Sequence, residues 1–80
     1  MDAARTATHR LVYYDSDTLS EDVVLPALLA IGMEVDVLIK CTYDAEKNGS
    51  CPIYVGSEYR CKLYGAFLGK LGIKTSIEGL

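Results

Sequence analysis

The chain has 80 residues, half of them hydrophobic and 24% charged, with a formal net charge of −3. That length supports one modest core and excludes a large buried pocket, and the composition belongs to folded globular domains, not to disordered chains. The acidic balance argues against direct nucleic-acid binding, which is driven by Lys and Arg displacing counterions from phosphates, and makes a basic partner electrostatically easier.

The opening "MDAARTATHR" has no apolar core for export, and residues 1–8 are expected to form a flexible polar leader to a single domain over 9–80. The most apolar run, "VVLPALLAIGMEVDVLI", is interrupted by Pro26, Gly32, Glu34 and Asp36 before it could span a bilayer. A cytoplasmic protein without membrane contact is expected, in a host cytoplasm if the chain is phage-encoded.

"HRLVYYD" is rich in strand-forming residues and ends at an acidic turn, which predicts a first strand. A helix start follows. Thr18 with Glu21 fits a capping box, Ser20 is a rival N-cap, and Glu21 and Asp22 lie where a helix N-terminus favours negative charge. Pro26 should delay the regular helix to about Leu25–Ile31, with Gly32 as its stop.

"EVDVLIKCTYD" alternates, with Val35, Val37, Ile39, Cys41 and Tyr43 on one side, and predicts a half-buried second strand. "AEKNGS" then supplies a turn with an Asn-Gly pair, and "CPIYV" returns as a third strand, confined to an edge or bulged by Pro52. Ser57 caps a second helix, in which Leu63, Phe67 and Leu71 recur at intervals of four with Tyr64 and Leu68 beside them, and Gly72 closes it. Gly65 and Gly69 inside this helix call for a close neighbour. "IKTSIEG" alternates as a fourth strand.

The resulting order, β-α-β-β-α-β, is the split βαβ or ferredoxin-like arrangement: an α+β fold with a four-stranded antiparallel sheet and two helices on one face. That fold hosts many unrelated functions, so function must come from a site. The apolar helix segment "ALLAIGM" has more apolar surface than one stripe can bury, which raises a homodimer or a protein partner as its cover.

"YYDSDTLSED" gathers Asp15, Asp17, Glu21 and Asp22 with no basic residue among them. Beside helix capping and solvation, two functional readings compete for it. Asp15 and Asp17, two apart at a strand end, could share a hard cation such as Mg²⁺. "LVYYDSD" resembles the first strand of the small ferredoxin-like nucleases of CRISPR adaptation, and "GMEVDVLIKC" loosely resembles their second; the resemblance would make Asp15 a metal ligand between two subunits. "YYDSDTL" also resembles the haloacid dehalogenase phosphatases over about seven residues, but lacks the glycine their pattern places before the threonine. The basic residues that the nuclease resemblance would place beside nucleic acid are missing from the first helix.

Three cysteines, Cys41, Cys51 and Cys61, cannot all pair within one chain, and a reduced compartment is the simplest reading. Cys61 between Arg60 and Lys62 is either a reactive thiol or a small buried core residue. One histidine, His9, and no cysteine pair at metal-ligand spacing argue against zinc. No cofactor is implied.

The leading expectation is a non-enzymatic protein-interaction module, in which Asp15, Asp17, Glu21, Asp22 and Tyr14 dock onto a basic surface of a protein partner. Its most specific form is a phage-type inhibitor, of the anti-CRISPR kind, that occupies a nucleic-acid-binding surface of its target. The alternatives are a small metal-dependent nuclease or phosphoryl-transfer dimer using Asp15 and Asp17, and a small-ligand regulatory domain.

Overall fold

The computed structural model describes residues 7–16 and 20–80. Among them the order is β1 (His9–Tyr14), α1 (Glu21–Ala30), α2 (Val35–Asn48), β2 (Ser50–Gly56), α3 (Glu58–Lys70) and β3 (Thr75–Gly79). The fold is α+β, as expected. The sheet has three strands in the order β2-β1-β3, with β1 antiparallel to both neighbours. Thr8 already extends this sheet, its N–H donating to the Gly56 carbonyl at 2.9 Å, so ladder bonding begins within the segment expected as leader.

The four-stranded ferredoxin-like order is corrected at one element. Residues 35–48 form α2 where the alternation of "EVDVLIKCTYD" predicted a strand. Val and Ile favour strands, but this run is continuous with "AEKN", and over the longer window Leu38, Cys41 and Ala45 make one buried helical face. Asp36 in the first turn and Lys47 in the last complement the helix dipole. The Asn-Gly pair does not make a hairpin: Gly49, at φ +91°, caps α2, and its N–H donates to the Ala45 carbonyl at 2.7 Å.

Helix α1 begins four residues before the expected Leu25, because Pro26 lies within it on the exposed side. There the carbonyl deprived of its helical partner meets water instead of the core. Ser20 takes the N-cap position without a side-chain capping bond. The capping box from Thr18 lies outside the described residues.

The expected stops Gly32 and Gly72 both hold, and by the same device. Met33 N–H reaches back to the Leu28 carbonyl and Gly32 N–H to Leu29; Ile73 N–H reaches Leu68 and Gly72 N–H reaches Gly69. With φ of +100° and +83° at the two glycines, these are paired Schellman endings. Each returns an apolar residue, Met33 or Ile73, to the core beside the leucine it bonds. Ser57 caps α3 as expected, its hydroxyl accepting from Arg60 N–H at 3.2 Å.

The core lies on the β1 face that carries Leu11 and Tyr13, where all three helices contribute to one cluster with Ile53 and Ile73. A register shift opposite Leu11 and Val12 turns both Ile53 and Tyr54 of β2 toward that cluster, the bulge that Pro52 foreshadowed. Gly65 brings α3 down onto the sheet: a Cβ there would lie 3.4 Å from both Leu11 Cδ1 and Thr75 Oγ1. Gly69 has no such neighbour.

The face of α3 that meets the sheet is Cys61, Tyr64 and Leu68. Of the apolar residues read from the sequence of this helix, Leu63, Phe67 and Leu71 are exposed, while Leu68 and Tyr64 beside them pack on the core; the interval of four traced the outward ridge. The opposite sheet face carries the Arg10–Glu78 ion pair, 2.7 Å, and the Tyr14–Ser76 hydrogen bond, 2.8 Å.

The helical placement of residues 35–48 makes a discriminating prediction. Leu38 is 3% exposed and Ile39 is 60% exposed. Leu38→Ala should cost about 2–5 kcal/mol in denaturant unfolding. Ile39→Lys should move stability by no more than about 0.5 kcal/mol. The strand alternation requires the reverse ranking.

Candidate functional site

Strand β1 ends at Tyr14, and the chain turns at Asp15 under two backbone restraints. Tyr14 N–H donates to the Lys74 carbonyl at 3.0 Å and Asp15 N–H to the Gly49 carbonyl at 3.0 Å. The second bond ties the end of β1 to the junction between α2 and β2. The start of α1 and the middle of α2 close around this corner and leave a cleft of about 300 Å³.

Three elements line the cleft. The β1 end supplies Tyr13, Asp15 and Ser16; the entry to α1 supplies Ser20, Glu21 and Val24; and α2 supplies Thr42 and Glu46, one helical turn apart. Three carboxylates therefore converge from three separate elements with hydroxyls between them. Among the described residues that line it, none is basic. Lys47, next in sequence to Glu46, is engaged elsewhere, its Nζ 5.3 Å from the centre of the Tyr43 ring.

Tyr13 forms the wall of the cleft at 5% exposure. Its phenol lies within electrostatic reach of the Asp15 carboxylate. Burial, followed by the charge of Asp15, pushes the phenol pKa up to about 12, with Cys41 and Glu46 adding to the shift. At neutral pH the phenol thus keeps its proton.

The expected site residues separate into three groups. Asp15 and Glu21 are brought together in the cleft. Asp22 is exposed on the first turn of α1 and does not line it. Tyr14 points to the opposite face of the sheet, hydrogen-bonded to Ser76 and with Lys74 Nζ 6.0 Å from its ring centre. Of the adjacent tyrosines it is Tyr13 that faces the carboxylates, because successive strand residues alternate between faces. Asp17 lies outside the described residues.

Sequence reasoning missed Thr42 and Glu46. Their spacing of four is the available signal, and it becomes visible only when residues 35–48 are read as a helix. Cys61, weighed as a reactive thiol, is fully buried against the sheet. Its pKa is raised by burial and then by Glu58, the opposite of activation. His9 lies 3.6 Å from the Glu58 carboxylate and takes no part in the cleft.

Among the described residues no group of three or more His, Cys, Asp or Glu side chains is placed to hold one metal ion. What the cleft offers is uncompensated negative charge in a partly enclosed space, beside hydroxyls that both donate and accept. An ammonium or guanidinium group fits that chemistry, since carboxylates accept charge-assisted hydrogen bonds from either. Among the described residues, no helix is long and apolar enough to cross a membrane. No protein-family model matches the chain, and no curated protein does either.

The buried Tyr13 phenol has a measurable signature. A tyrosine whose folded pKa lies above its ordinary value of 10 contributes stability that is complete below pH 10 and is lost as pH rises toward about 12. A stopped-flow pH jump, read before unfolding, should show a tyrosinate absorbance step near pH 12 that is missing in Tyr13→Phe. The loss of stability between pH 10 and 12 should be correspondingly smaller in that variant.

Proposed function

We propose that the chain is a non-enzymatic protein-interaction module and that the cleft between β1, α1 and α2 receives a basic side chain of its protein partner. The observation that carries this reading is the convergence of Asp15, Glu21 and Glu46 from three elements around one concavity whose described lining includes no cation. A volume of about 300 Å³ lies at the small end of ligand sites, enough for one long side chain and too little for an extended substrate.

The acidic rim would steer a basic surface into register and speed the encounter more than it would deepen the affinity. In its specific form the reading is that of an inhibitor of the phage type, with the acidic corner standing where its target's nucleic-acid backbone would lie. The net charge of −3 favours such a competitor over a nucleic-acid binder. The metal-dependent reading needs side chains close enough to Asp15 to share one ion with it, and among the described residues no group of three or more His, Cys, Asp or Glu side chains is so placed.

The test compares three purified proteins of verified fold in a pull-down from source-cell lysate, followed by binding kinetics with the captured partner. Asp15→Asn, Glu21→Gln and Glu46→Gln combined should weaken binding by tenfold or more, about 1.4 kcal/mol or above. Association by the wild type should slow steeply with added salt. Asp22→Asn combined with Tyr14→Phe, residues outside the cleft, should bind as the wild type does. Equal binding by all three proteins, or an equal loss from the control pair, would remove the cleft as the docking site.

A further inference from the structure

The inference concerns two thiols that the docking reading does not use. Cys41 lies on the buried face of α2, and Cys51 lies half-buried on β2, the edge strand that α2 covers. Both are free thiols. Their sulfurs converge on one acceptor: the Pro52 carbonyl oxygen is 3.9 Å from Cys41 Sγ and 3.4 Å from Cys51 Sγ. The two thiols also interact electrostatically.

We infer that Cys41 and Cys51 are a redox-modification site, closing reversibly into a disulfide that ties α2 to β2 when the chain meets a low-molecular-weight disulfide. Two thiols that approach one carbonyl oxygen from neighbouring elements can be brought to bonding geometry by side-chain torsion together with adjustment of the local backbone. The backbone here has that freedom. Pro52 has no N–H to give the ladder, and the strand pairing shifts register beside it. Breaking the two thiol contacts to the Pro52 carbonyl sacrifices only weak hydrogen bonds.

The order of attack follows from burial. Cys41 is enclosed, and desolvation, followed by Cys51, pushes its pKa well above the ordinary thiol range. Cys51, the more accessible of the two, is therefore the entry point. Its thiolate attacks one sulfur of the small disulfide RSSR; a Cys51 Sγ–SR bond forms and RS⁻ leaves. Cys41 then surrenders its proton and attacks Cys51 Sγ, making the Cys41–Cys51 bond and expelling the second RS⁻. Two protein thiols are oxidised, RSSR is reduced to two RSH, and the two protons end on the released thiols. Cys61 has no share in this: it is buried on α3, and neither other cysteine is among the groups that act on it.

The full-length chain is incubated with oxidised glutathione at mildly alkaline pH, quenched with N-ethylmaleimide and mapped by mass spectrometry. Wild type should lose two of its three thiols and yield a Cys41–Cys51 linked peptide, reversed by dithiothreitol, and Cys61→Ser should form the same link. Cys41→Ser should stop at a glutathione adduct on Cys51, and the oxidised wild type should melt at a higher temperature than the reduced one. Retention of all three thiols in folded wild type would overturn the inference. So would a stable Cys51 adduct in Cys61→Ser without the internal link, or a chief product that pairs Cys61 or joins two chains.

Discussion

The structure depends on the enclosure of β1. Hydrogen-bonded to β2 on one side and to β3 on the other, this strand places Leu11 and Tyr13 under the helices, while Val12 is buried on the reverse face. Leu11 is fully buried, and Gly65 lets α3 descend until its backbone nearly touches that side chain. A strand with no exposed apolar side chain and no free edge can end in only one place, and where it ends the chain must turn. The acidic cleft is built on that turn.

The readable parts of the sequence were those whose signals are local. Ser57 as a cap, Gly32 and Gly72 as stops, and Pro52 as a mark of irregular strand pairing each act through one residue's own backbone chemistry, and each is found in that role. Residues 35–48 were illegible for a different reason. Val35, Val37, Ile39, Cys41 and Tyr43 satisfy a period of two, while Leu38, Cys41 and Ala45 satisfy the helical period, and only burial decides between them. Cys41 belongs to both patterns. The helix wins because it buries Leu38 and Ala45 against β2 and α1, at the cost of leaving the β-branched residues in water. Leu63, Phe67 and Leu71 repeat the lesson on α3, where a regular apolar interval described the side facing out.

The candidate site was half legible for the same reason. A count of charges along the chain finds Asp15 and Glu21, which are near in sequence, but not Glu46, which α2 carries to them from 25 positions beyond Glu21. Nor can a count of charges choose between Tyr13 and Tyr14. That choice rests on which face of β1 meets the helices, and therefore on Leu11, two residues before Tyr13 and on the same side of the strand. Packing in the core thus selects the phenol that lines the cleft beside Asp15.

Helix α2 joins the features that bear on function. Its Thr42 and Glu46 complete the cleft, its Cys41 approaches the same Pro52 carbonyl as Cys51 of β2, and its capping residue Gly49 accepts the hydrogen bond that anchors Asp15. Cys41 adds to the raised pKa of Tyr13, so the thiol pair and the cleft wall lie within electrostatic reach of each other. A covalent link between residues 41 and 51 would enclose the second half of α2 together with Gly49 in one ring, which is the segment that presents Glu46 and holds the Asp15 backbone. Any loosening of α2 would therefore disperse the three carboxylates. A tie between α2 and β2 would keep them assembled.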